Sequence, residues 1–180
     1  GEMIPFDCIE FNDEFHWIDV LSEIAFLLMD MDHQGMSALA NRCLNGYLEV
    51  TGDYEVLALL RFYKTYRAMV RAKVSMLRLS QMTTTEAQIH ALSEYRSYIE
   101  LAKSYITNRK PCLYITHGVS GSGKTTVARV VADTLDAIQI RSDIERKRLY
   151  GLPAISASSS MLNGGIYSNE ATTKTFKQLE

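Results

Sequence analysis

The chain has 180 residues, 47% of them hydrophobic, enough for one sizeable domain or two small ones with packed cores. Its 19 basic and 21 acidic residues leave a formal net charge of −2, so no global field draws in nucleic acid or an anionic membrane, and phosphate recognition has to be local. Cys8, Cys43 and Cys112 have neither metal-ligand nor disulfide-framework spacing, the pattern of free thiols in a reducing cytoplasm rather than of a secreted scaffold.

The chain opens on Gly1 rather than Met and closes at Glu180 inside a helical pattern, which leads to the expectation of a piece of a longer protein. Its longest clean apolar run, 24–29, is bounded by Glu23 and Asp30 and is far shorter than the roughly 18 residues of a bilayer span. Apolar residues at 17, 21, 24, 28 and 31 predict a first helix, widened by Ile18, Ala25 and Leu27 until core nearly surrounds it. A second helix is predicted over 37–50, stopped near Gly52. A third runs through about Leu79, with Asp53 able to cap it. Leu59, Phe62, Tyr66, Met69, Val70 and Leu77 form its apolar side, and Arg61, Lys64, Arg67, Arg71 and Arg78 a basic stripe read as a solvated face. A fourth helix follows a capping box of Thr83 and Glu86 and runs to about Ile106.

The pattern changes after Pro111. Residues 112–116 form a short apolar run, a Gly-rich loop follows, 125–135 are helical, and 137–140 are a second strand candidate. The small, polar stretch 152–166 reads as a mobile loop before a last helix starting at Ser168. The expected fold class is therefore α/β overall: a mainly helical part, 1–108, followed by the start of a three-layer α/β domain with parallel strands, 109–180.

The loop, HGVSGSGKTTVARVVA at 117–132, carries the chemistry. Gly118, Gly123, Lys124 and Thr125 match G-x-x-x-x-G-K-[ST], in which backbone N–H groups converge on phosphate oxygens. Gly118, Ser120, Gly121, Ser122, Gly123, Lys124, Thr125 and Thr126 are the expected nucleotide cradle. Lys124 would reach the β- and γ-phosphates and Thr125 would ligate Mg2+. Downstream, in IRSDIERKRLYG at 140–151, Asp143 stands where a parallel sheet would bind its ligand. It could orient or deprotonate an acceptor hydroxyl or help hold magnesium. Ser142 and Glu145 also fit a capping box, with Asp143 then merely favouring the helix dipole. Arg141 or Arg146 offers charge to a phosphate or an anionic acceptor, although the run Arg146, Lys147, Arg148 reads first as a solvated face.

Through GVSGSGKTTVARVVA and IRSDIERKRLYG, residues 111–180 resemble the P-loop small-molecule kinases of the gluconate-kinase-like group. The resemblance implies ATP as donor and a small hydroxyl-bearing acceptor. MIPFDCIEFNDEFHWIDVLSEIAFL, 3–27, resembles the C-terminal lobe of the aminoglycoside phosphotransferases. That likeness implies a metal-binding role for Asp7 and a helix-starting role for Asp19. Together the halves resemble bacterial predicted kinases in which such a lobe precedes a P-loop kinase, with this chain spanning the junction.

The leading expectation is an ATP-dependent phosphotransferase acting on a small acceptor, with Lys124, Asp143 and Arg146 as the catalytic set and Thr125, Asp143 and Asp7 as metal ligands, and with little turnover by this stretch alone. No nucleic-acid or membrane partner is expected, and the oligomeric state is left open. The alternatives are a nucleotide-dependent switch with a helical docking half, and a helical adaptor with a vestigial loop.

Overall fold

The computed structural model describes residues 14, 17–107, 110–119, 121–153 and 165–179. Among these residues the α-helices are α1 (Val20–His33), α2 (Ser37–Thr51), α3 (Leu57–Leu79), α4 (Thr85–Ile106), α5 (Lys124–Leu135), α6 (Ser142–Leu149) and α7 (Asn169–Gln178), with a 3₁₀ turn at Gly165–Tyr167. The chain forms two units, one of Gly1–Asp30 and Val56–Thr107, the other of Met31–Glu55 and Asn108–Glu180.

In the first unit α3 packs against α4, and small residues allow the approach. Ala68 and Ala72 of α3 meet Tyr98 and Ala102 of α4, with Met29 of α1 closing the buried cluster. Asp19 starts α1, accepting the Leu21 N–H at 2.9 Å and the Tyr63 hydroxyl at 2.8 Å. α1 is not surrounded by core: Leu21, Ala25, Leu28 and Met29 are buried, whereas Trp17, Ile18 and Leu27 are exposed. On α3 the expected faces are largely exchanged. Leu59, Phe62, Tyr66, Met69 and Leu77 are exposed. Three of the basic residues pack inward: Arg67 pairs with Glu23 and lies over Phe26, Arg71 donates to the buried Tyr98 hydroxyl at 3.1 Å, and Lys64 lies over the Tyr105 ring. These three side chains join α3 to α1 and α4, so the basic stripe is not simply a solvated face.

The second unit departs from the α/β expectation: among the described residues there is no strand and no sheet, and the elements are helical. A strand needs a neighbour to complete its ladder. Residues 111–119 carry no regular secondary structure, with Leu113 86% and Ile115 82% exposed. Residues 137–140 find partners of another kind, the side chains of α2. Asn45 accepts the Gln139 N–H at 2.6 Å, and the Ala137 carbonyl accepts from Asn41 at 3.2 Å and from Asn45 at 3.1 Å. Asparagine amides thus do for this segment what a neighbouring backbone does in a sheet.

α2 is the brace of this unit. Besides Asn41 and Asn45, Arg42 pairs with Asp133 of α5 at 2.7 Å. At its far end, Arg141 at the start of α6 pairs with Glu49 at 3.1 Å, and Arg148 donates to the Glu49 carbonyl at 2.7 Å. Arg148 also pairs with the buried Glu145, which accepts the Tyr54 hydroxyl at 2.8 Å. Burial, together with that bond to Glu145, pushes the Tyr54 phenol up to about 12. Glu145 is therefore no capping partner of Ser142; the N-cap position is Arg141, which makes no side-chain cap. Ser168 does cap α7, accepting the Ala171 N–H at 3.2 Å.

Candidate nucleotide-binding site

Gly121 and Gly123 hold left-handed backbone, with φ of 77° and 81°, the turn that aims successive N–H groups into one concavity. At Gly118 an added Cβ would come within 3.0 Å of the Ser122 hydroxyl. Gly123 is the N-cap of α5, so the N–H groups of Lys124, Thr125 and Thr126 open the helix without intrahelical acceptors. The positive end of the helix dipole adds to them. The Lys124 ammonium donates to the carbonyls of Gly118 at 2.7 Å and Val119 at 2.5 Å, folded over its own loop.

The loop opens into a cleft of about 990 Å³. Gly121, Ser122, Gly123, Lys124 and Thr125 line one part of it, and Arg141, Asp143 and Arg146 line another. The loop and the α6 residues singled out from the sequence therefore meet at one cavity. Thr126, the third residue of α5, is exposed, and Ser120 and Asp7 lie outside the described residues.

Asp143 is engaged through both carboxylate oxygens. Oδ1 accepts the Tyr167 hydroxyl at 2.8 Å, and Oδ2 pairs with Lys147 at 2.9 Å. Burial pushes its pKa up, but the hydrogen bonds from Lys147 and Tyr167 and the charges of Lys147 and Arg146 outweigh that and hold the carboxyl below the usual aspartate range. It is ionised at neutral pH, and one of its partners must release an oxygen before it can act as a base. Lys147 does not lie on a solvated face: its side chain is only 12% exposed, turned onto Asp143. Arg148 is likewise committed to Glu145 and α2. Arg146 lies against the Tyr167 ring with its guanidinium carbon 5.1 Å from the centroid, and its Nε is buried with no hydrogen-bond partner.

The glycine turn, the bare helix terminus and the Lys124 ammonium fit a nucleotide's phosphates. Thr125, on the cleft wall, fits a magnesium ligand, whereas Asp143 fits one only when Lys147 or Tyr167 lets an oxygen go. Among the described residues no cluster of three metal-ligating side chains occurs. A magnesium ion carried by phosphate oxygens does not need one.

Sequence reasoning missed several polar residues of the cleft. Gln139 lines it and donates to the Thr125 carbonyl at 3.3 Å, Thr172 comes from α7, and Tyr167 comes from the 3₁₀ turn. No motif marks them. Tyr167 stands 24 positions from Asp143, a pairing that only the fold makes.

Residues 113–180 match the family described as AAA domain, which supports a P-loop nucleotide-binding, kinase-like domain there. Over 178 residues the chain is 33% identical to uncharacterized proteins of Mycobacterium bovis and Mycobacterium tuberculosis. The alignment covers 99% of this chain and 35% of those proteins, so the chain spans about a third of the length of these curated relatives. No solved structure matches. Neither comparison supports an aminoglycoside-phosphotransferase-like lobe or a fusion to one.

Proposed function

We propose that the unit containing the loop binds Mg-ATP and transfers its γ-phosphoryl group to the hydroxyl of a small molecule. One observation carries the reading: a glycine turn delivers Lys124 and a helix N-terminus to a cleft that Asp143 and Arg146 also line. Phosphoryl transfer asks the protein mainly for positioning and charge. Lys124 exchanges the Gly118 and Val119 carbonyls for β- and γ-phosphate oxygens, and Thr125 would ligate magnesium, which when bound offsets charge on those oxygens. The acceptor oxygen bonds to the γ-phosphorus as the bond to the bridging oxygen breaks, and ADP leaves. Asp143, released by Tyr167, takes the acceptor's proton.

The same reading takes 1–108 as part of an aminoglycoside-phosphotransferase-like lobe with Asp7 toward magnesium, 109–180 as the kinase portion, and the cytoplasm as the location. Supporting the first is the start of α1 at Asp19; supporting the last, that no described helix is long and apolar enough to cross a membrane. The test is calorimetric titration with Mg-ATP: Lys124→Ala should weaken binding at least about tenfold, the loss of a charge-assisted phosphate contact. Equal affinity in both proteins would refute the cradle.

A nucleotide-dependent switch is the second reading, favoured by the way α2 is fastened to both helices that flank the cleft. Phosphate left on an acceptor marks a kinase, and phosphate released to water marks the switch.

A further inference from the structure

We infer that the exposed apolar side of α3 is an interaction surface for a second copy of this chain, the two α3 helices lying antiparallel about a two-fold axis between Tyr66 and Met69. The inference is independent of the nucleotide cleft and stands whether or not the kinase reading does.

Leu59, Phe62, Tyr66, Met69, Lys73 and Met76 follow one another along α3 at steps of three, four, three, four and three residues. That is the heptad spacing that keeps a narrow seam facing another helix, as distinct from the wider stripe by which a helix sits on a core. In this chain the seam faces solvent: its five apolar residues are between 40% and 63% exposed, and Lys73 is exposed with them. Ala68 and Ala72, elsewhere on the helix, already supply the packing against α4. An exposed apolar strip of this extent marks a contact surface.

The seam is complementary to itself when reversed. About an axis between Tyr66 and Met69, Leu59 meets the partner's Met76, Tyr66 meets the partner's Met69, and Lys73, the charged member, meets the partner's Phe62. Each contact then occurs twice, as a two-fold interface requires. An ammonium over an aromatic face is favourable, whereas a parallel pairing in register sets Lys73 against the partner's Lys73, and like charges repel. Packing on α4 already holds α3 helical, so pairing carries no cost of ordering the backbone. The five apolar side chains offer about 500 Å² per copy, about 1,000 Å² in all, the least that a specific association needs, so the dimer is a weak and concentration-dependent one.

The test is sedimentation equilibrium of the 180-residue chain from about 5 to 500 μM, in which a dimer should form with a dissociation constant of about 10–100 μM. Phe62→Lys and Phe62→Glu both remove the ring, but they set opposite charges against the partner's Lys73. In the antiparallel register Phe62→Glu should therefore dimerise at least about tenfold more tightly than Phe62→Lys, and adding Lys73→Glu to Phe62→Lys should restore association. Phe62 is exposed, so both variants should keep the wild-type circular dichroism spectrum and melting temperature. If either unfolds, Tyr66→Lys compared with Tyr66→Lys plus Met69→Glu repeats the charge reversal at the next layer of the seam. A chain that stays monomeric throughout the concentration range overturns the inference and leaves this face to a different partner. Equal dissociation constants for the two Phe62 variants also overturn it, since a parallel or an unrelated interface does not distinguish the two charges, and so does a dimer that Phe62→Lys leaves unchanged.

Discussion

Asp143 shows how the cleft stays closed to its own chemistry. A carboxylate with both oxygens hydrogen-bonded is a poor base until one bond is released, and the Tyr167 hydroxyl is the lighter of its two partners because it carries no charge. The same contacts tie folding to pH. Because the folded carboxyl titrates below the ordinary aspartate value of about 3.9, its contribution to stability is complete above that value and is lost as pH falls through the lower, folded one. Melting temperatures followed from about pH 5 down to pH 2 should therefore fall less steeply in Asp143→Asn than in wild type. Identical slopes would mean that Lys147 and Tyr167 give the carboxylate no net stabilisation. The side chain is 40% exposed, so solvent screens the effect and the direction is the prediction.

At the scale of elements, α2 replaces a neighbouring strand for residues 137–140. Asn45 uses both ends of its amide, accepting from Gln139 and donating to Ala137, while its Nδ2 also donates to the Asn41 side chain at 2.8 Å. Asn45→Ala leaves the Gln139 N–H without its acceptor and removes one donor from the Ala137 carbonyl. A destabilisation of about 1–3 kcal/mol is expected, measured by urea unfolding. A loss near zero would show that water satisfies those groups equally well. α3 carries the complementary lesson: Phe62, Tyr66 and Met69 make an exposed apolar side, while alanines and arginines make the packed one.

For the molecule as a whole, the chain divides its 180 residues between two units and returns to each, so that the segment holding α2 joins the unit of the P-loop although about 70 residues separate them. Any consequence of nucleotide binding within that unit should reach α2 through Asn41, Asn45 and Arg42 on the α5 side and through Glu49 on the α6 side. Hydrogen exchange with and without the Mg-ATP analogue tests this. Protection should rise in 37–51 together with 124–149. Slowing confined to the loop and α5 would remove the support for the switch reading and leave the kinase reading standing.

Sequence alone determined what depends on near neighbours. Helical bonds run from a residue to the fourth before it, so α2, α4, α5 and α7 could be read from periodicity, Gly52 and Ser168 from their cap positions, and the phosphate loop from spacing within eight residues. Tertiary structure decided what depends on distant partners. Whether 112–116 and 137–140 pair as strands depends on which groups lie alongside them, and for 137–140 those groups are asparagine side chains of α2. The buried face of α3 is chosen by whether Ala68 and Ala72 let α4 approach, a question of shape that hydropathy periodicity does not ask. The run Arg146, Lys147, Arg148 reads locally as three equal charges. Folding gives them an aromatic face, a carboxylate in the cleft and the end of α2, because side chains on a helix of eight residues point in different directions and meet different neighbours.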